Sequence, residues 1–159
     1  MPVPDKVYLS TPSDTSTSAL GVTGEIREHI DATHGKQYYR MVKNTSGANI
    51  AANLVVVFAS GSSVNCAIAG AAAPAATVAG ITQYIVPNGE YGWVCCGGDC
   101  TVTAAADTAA NSLLSTVSTA GKVDDTAIGG IEHALLGVSP NIIDISVLAT
   151  GTMRVSGLM

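Results

Sequence analysis

The chain has 159 residues and a net charge of −5; 47% of it is hydrophobic and only 12% is charged. That length gives one domain with a real core. The seven Lys and Arg are scattered, which excludes phosphate neutralisation on a nucleic-acid scale, and no apolar run approaches the roughly 18 residues that a membrane helix needs. So few charges among so many Gly, Ala, Ser and Thr leave a surface poor in solvating groups, which suits a protein that hides area in an assembly. The opening Met1-Pro2-Val3-Pro4-Asp5 has neither the charged nor the apolar region of a secretory leader. Synthesis in a cytoplasm is therefore expected, and with it free rather than bridged cysteines.

Residues 1–23 read as an arm, because Pro2, Pro4 and Pro12 block regular structure and residues 13–18 are polar without a period. Two readings stay open: a frayed terminus, or a segment that orders against a neighbouring subunit. Residues 24–34 fit a short helix, through Glu25 to Glu28, and equally a strand, since Ile26, Glu28 and Ile30 alternate with Arg27 and His29. Residues 36–43 alternate and are rich in Tyr, which predicts a strand. A turn at residues 44–47 follows, then a β-branched run at residues 54–58 that predicts a strand buried on both faces, ended by Gly61-Ser62-Ser63. Residues 67–79 are Ala-rich but broken by Gly70 and Pro74, which predicts a loop with short extended pieces.

Two apolar runs, residues 81–86 and 91–94, flank Pro87-Asn88-Gly89-Glu90. Asn-Gly predicts a hairpin with a type I′ turn, which needs positive φ at both central residues. Gly97-Gly98-Asp99 predicts another turn, before a strand from Cys100 to Thr103. Further strands are expected at residues 113–117, 142–148 and 152–155, with turns at Gly121, Gly129-Gly130 and Gly151; residues 132–138 are ambiguous. Short strands with turns every 8–12 residues predict an all-β fold, a small β-sandwich or β-barrel with an extended N-terminal arm. The division expected is residues 1–35 as arm and linker and residues 36–159 as the β domain.

Candidate chemistry is sparse. Cys66, Cys95, Cys96 and Cys100 with His29, His34 and His133 could supply zinc ligands, but structural zinc wants paired knuckles. Adjacent Cys95 and Cys96 point to opposite faces of a strand. Gly97-Gly98 could bend the chain and bring Cys96 near Cys100. Buried free thiols are the simpler expectation. Asp99 beside Cys100 raises a thiol pKa, which disfavours a nucleophile. His29 and His34 stand five apart, not four as zincin ligation on a helix requires. Asp124-Asp125 reads as a solvated turn rather than a calcium loop. No Walker, G-x-S-x-G or G-x-G-x-x-G motif occurs. The expectation is no enzyme, no cofactor and no metal.

Four phrases in order carry a resemblance. Tyr39-Arg40-Met41-Val42-Lys43-Asn44-Thr45-Ser46-Gly47 precedes Ile50-Ala51-Ala52 and the strand at residues 54–58; Gly80-Ile81-Thr82-Gln83 precedes Ile85-Val86-Pro87-Asn88-Gly89-Glu90-Tyr91-Gly92-Trp93-Val94. Val102-Thr103-Ala104, Leu113-Leu114 and Gly121-Lys122-Val123 follow, and then Gly137-Val138 and the terminal Met153-Arg154-Val155. Across residues 36–159 this order resembles the small capsid decoration, or cement, proteins of tailed phages. The Cys95-Cys96…Cys100 cluster and the long arm depart from that pattern.

The resemblance implies a shell protein on the outer surface of the phage head. It would dock as a homotrimer after head expansion and clamp neighbouring subunits of the major capsid protein. Its partners would then be that protein and itself, with no nucleic acid and no membrane. The arm residues Val3, Pro4, Tyr8, Leu9 and Leu20 are the candidate capsid contacts. Tyr38, Tyr39 and Trp93 are the candidates for self-association, since aromatics are enriched in interface cores. Trp93 has a second reading as the core aromatic of a sandwich. The alternatives are another virion module, a head fibre base or tail tube protein, and a virion-displayed carbohydrate-binding β-sandwich.

Overall fold

A computed structural model describes residues 11–68, 78–110, 113–116, 120–125, 135–138 and 150–155. Among them the protein is all-β. The strands are β1 (Ile26–Asp31), β2 (Gly35–Asn44), β3 (Val55–Phe58), β4 (Asn65–Ile68), β5 (Val78–Thr82), β6 (Tyr91–Thr103), β7 (Leu113–Thr116), β8 (Val123–Asp124), β9 (Leu135–Val138) and β10 (Thr150–Val155). The strand expected at residues 142–148, the turn at Gly129-Gly130 and most of the Ala-rich stretch lie outside the described residues, as does His133.

Five strands close on themselves. β2 pairs in parallel with β4; β4–β3, β3–β5, β5–β6 and β6–β2 are antiparallel. In a closed ring each strand turns every second residue inward. Val42, Cys66, Val56, Ala79 and Val94 come one from each of the five strands and form a single buried cluster with Ile50. The Arg40 guanidinium stacks over the Phe58 ring at 5.4 Å and donates to the Ala79 carbonyl.

The outward residues of the same strands build a larger core. Tyr39, Met41, Val55, Ile81, Trp93 and Cys95 join Cys100, Val102, Leu114, Val123 and Met153 there. The latter residues belong to a second sheet of order β6-β10-β9-β7-β8. β6 serves both layers, with β2 and β5 on its first half and β10 along Gly98–Thr103.

Residues 24–34, open between helix and strand in the sequence, hold strand β1 paired to β2 from Ile26↔Arg40 to Asp31↔Gly35. The ambiguous residues 132–138 include strand β9. The turns at residues 44–47 and 61–63 and at Gly121 stand where expected, with positive φ at Gly47, Gly61 and Gly121.

Three local expectations are corrected. Asn88-Gly89 does not close a tight type I′ hairpin. Only Gly89 has positive φ, at 80°, and the Glu90 N–H bonds the Pro87 carbonyl at 3.2 Å, as in a type II turn. Val86 is drawn away by two main-chain bonds to Ile50, at 3.0 and 2.9 Å, so β5 meets β6 further back, at Ile81↔Cys95. Gly97-Gly98-Asp99 is not a turn. β6 runs through it, because Gly98 takes up the bend within the strand while the pairing partner changes. Gly151 likewise lies inside β10 rather than before it.

Candidate interaction surface

Residues 11–24 lie along the body. Thr11-Pro12-Ser13-Asp14 is a turn, with the Asp14 N–H on the Thr11 carbonyl at 3.0 Å and the Thr11 N–H on Asp14 Oδ2 at 2.7 Å. Pro at the second position presets its φ. Ser16 and Tyr91 then exchange two main-chain bonds, at 3.1 and 2.8 Å. Leu20 packs against the larger core. Of the five arm residues expected to touch a capsid, Leu20 therefore contacts its own chain; Val3, Pro4, Tyr8 and Leu9 lie outside the described residues.

The structure places the three aromatics expected to self-associate as follows. Tyr39 is 4% exposed and Trp93 2%, both inside one chain. Neither ring is offered outward, and the core reading of Trp93 describes its position. The Tyr39 hydroxyl donates to Gln37 Oε1 at 3.0 Å, and burial, with Tyr84 and Asp31 nearby, pushes its phenol far above the ordinary tyrosine value. Arg27 stacks on Trp93 at 5.0 Å while its Nε donates to Glu25 Oε1 at 2.9 Å, and His29 meets Tyr39 edge-on at 6.0 Å. Tyr38 is half-buried under the Lys36 ammonium, 5.6 Å from its ring.

What the single chain does expose is aliphatic. Val22, Ile26 and Ile30 are 73%, 40% and 67% exposed. Ile26 and Ile30 share one face of β1, with Glu28 between them paired to Lys36 at 2.8 Å. β1 ends the sheet order among the described strands, so its outer edge offers main-chain N–H and C=O groups to a partner. The alternation of Ile26, Glu28 and Ile30 is visible in the sequence; which side of it faces outward depends on the packing of Arg27 and His29 against Trp93 and Tyr39. Tyr84 and Ile85, at 44% and 58%, form a smaller patch between β5 and β6.

The cysteines overturn the expectation of four free thiols. Cys95 and Cys100 are joined in a disulfide, with Cα atoms 6.7 Å apart; Cys66 and Cys96 are free and buried. Cys100 is bridged to Cys95 rather than to Cys96, whose thiol donates to the Tyr38 carbonyl at 3.4 Å. Burial pushes the Cys66 thiol up to about 12 and the Cys96 thiol upward too, so both stay protonated at neutral pH. His34 Nδ1 lies 3.0 Å from Asp31 Oδ1, and the Asp31 carboxyl, bonded to the His34 and Thr33 N–H groups, falls below its ordinary range. The Asp99 carboxyl is lowered by Arg154, whose Nε donates to it at 2.8 Å across the β6–β10 seam. Asp125 Oδ2 accepts the Ala109 N–H at 2.7 Å, a loop-fixing role. No group of three His, Cys, Asp or Glu stands close enough to hold a metal among the described residues.

A direct check on the cysteines follows. Under denaturing, non-reducing conditions thiol titration should count two sulfhydryls, rising to four after reduction. The Cys95→Ser/Cys100→Ser variant should lose about 2 kcal/mol in urea melts, the loop-entropy value for so short a closure. Four thiols in the oxidised protein would refute the bridge.

What these residues present to solvent is a surface with an aliphatic patch and an open strand edge. The class it defines is an all-β domain built from a closed ring and an attached sheet. In fold the chain is similar to the N base of the head fiber protein gp8.5 of bacteriophage phi29, with a TM-score of 0.54 and 14% identity over 76% of this chain and 94% of that one. At that identity the likeness is one of fold. No protein-family model matches the chain, and no curated protein matches it in sequence.

Proposed function

We propose that the chain is a structural protein of a tailed-phage virion, carried on the outer surface of the head, with no catalytic role and no cofactor. The observation that carries this is the fold likeness to a head fibre base. The phrase order resembling capsid decoration proteins points to the same place on the virion. In the leading reading it is a cement protein and a homotrimer. Binding only the expanded lattice, it would stabilise that state as any ligand stabilises the form it prefers. Many weak contacts at fixed sites would sum through avidity. The arm residues Val3 and Pro4 would meet the major capsid protein. The exposed edge of β1, with Ile26 and Ile30, would meet a neighbouring copy by strand addition. The fold likeness favours a second reading, the base of a head fibre.

The test uses expanded, undecorated heads. The full chain should bind them and raise the temperature at which they release DNA; removal of residues 1–17 should weaken binding. Binding without thermal protection would favour the fibre base. No binding to heads would overturn both readings.

A further inference from the structure

A cleft of about 190 Å³ opens where the β1–β2 turn meets the loops that precede β3 and follow β5. Part of its lining is polar and already satisfied. Gln37 donates to the Asp99 carbonyl and accepts from the Tyr39 hydroxyl at 3.0 Å. Gln83 holds the Thr101 main chain with both ends of its amide, at 2.9 Å each. Side chains tied in this way keep their rotamers, so that part of the cleft is preorganised.

The remaining lining residues carry spare hydrogen-bonding atoms. Asp31 Oδ1 accepts from the Thr33 and His34 N–H groups, both at 2.8 Å, and meets His34 Nδ1 at 3.0 Å. Asp31 Oδ2, the Asn53 amide and the Tyr84 hydroxyl bond to no side chain or main chain among the described residues, yet all three residues line the cleft. Asn53 has φ 64°, the one positive value at a non-glycine position among the described residues. Its main chain is pinned there by bonds to the Thr82 carbonyl and the Thr103 N–H, at 2.6 and 2.9 Å. Tyr84 is 44% exposed.

We propose that this cleft binds one neutral sugar ring, the terminal unit of a glycan. A sugar hydroxyl both donates and accepts. The Asp31 carboxylate only accepts and the Asn53 amide does both, so together they can take adjacent hydroxyls. The exposed Tyr84 ring offers an apolar face to the C–H groups of the sugar. The turn N–H groups hold the Asp31 carboxyl below its ordinary range, so it is charged at neutral pH and repels phosphates and acidic sugars. The volume is below the roughly 300 Å³ at which pockets for drug-sized ligands begin, which suits a single ring. The inference goes beyond the proposed function and holds for the isolated chain. On a virion, many copies would sum weak single-site affinities through avidity.

Methyl glycosides of glucose, galactose and mannose, and the matching uronic acids, are titrated against the full chain by ligand-observed NMR. At least one neutral glycoside should bind with a Kd of about 1 mM, and its uronic acid at least tenfold more weakly. Asp31→Asn, Asn53→Gly and Tyr84→Ala should each weaken the neutral sugar at least fivefold. The first keeps an oxygen for the turn, the second keeps the positive φ, and the third changes an exposed side chain, so all three should fold. No binding of any neutral glycoside up to about 50 mM would overturn the proposal. So would equal binding of the uronic acid, or an affinity that the three variants leave unchanged.

Discussion

Gly98→Ala is expected to cost about 3 kcal/mol or more, enough to unfold a marginally stable domain. Gly98 sits at φ +91°, a conformation an L side chain resists at a cost of about 1–2 kcal/mol. The steric term is larger still. A Cβ there would fall on the Lys36 carbonyl oxygen and come within 3.1 Å of the Gln37 Cα. Both are backbone, so no rotamer change relieves the clash. The site is also where the β2–β6 register shifts, between Tyr38↔Gly97 and Tyr39↔Cys95. Moving β2 aside would therefore open the ring at its closing seam. Gly89→Ala is the control. Gly89 has φ +80° but nothing within 4 Å of a built Cβ, so it should lose only the conformational term, about 1 kcal/mol. Urea melts of the two variants decide this; equal midpoints would show that the close approach at Gly98 does not matter.

Asn44→Ala is expected to cost about 4 kcal/mol, from four hydrogen bonds each worth about 1 kcal/mol net. Asn44 is fully buried at the end of β2. Its Nδ2 donates to the Ala48 and Val86 carbonyls, both at 2.8 Å; its Oδ1 accepts from the Ser46 N–H at 3.0 Å and the Ser46 hydroxyl at 2.7 Å. Every polar position of the amide is used. One side chain thus joins the loop after β2 to the loop before β6. Asn44→Asp should be worse than alanine, because a carboxylate would face two carbonyl oxygens where the amide now donates. Ser46→Ala, at an exposed position, should cost about 1 kcal/mol. Thermal melts that rank the aspartate variant above the alanine variant would refute the role assigned to Nδ2.

The parts of the fold legible in the sequence are those fixed by neighbours along the chain. The Tyr-rich alternation of β2 and the β-branched run of β3 declare strands through their own periodicity. Gly47, Gly61 and Gly121 mark turns because they take positive φ locally. The misread places depend on distant partners. Asn88-Gly89 looks like a tight hairpin until Ile50 captures Val86 from 36 positions upstream. Gly97-Gly98 looks like a turn until β10 takes over the second half of β6. Closure of the ring rests on β2 meeting both β4 and β6, a pairing that no local pattern encodes. Of the candidate site, Ile26 and Ile30 were visible as an alternation, but their exposure was not. Tyr39 and Trp93 carry the residue types of an interface, and only the packing shows them turned into the core.

β6 is shared by the ring and by the second sheet, and this has a mechanical consequence. Tension applied along β6 loads the ladders to β2, β5 and β10 together, in shear, so rupture needs several hydrogen bonds to fail at once. Tension entering through the end of β10 at Val155 meets the opposite geometry: the ladders to β6 and β9 open one pair at a time, starting from Val155↔Gly98 and Val155↔Gly137. The same fold is therefore stiff along one direction of pull and compliant along another, and how it is mounted decides which of the two it shows.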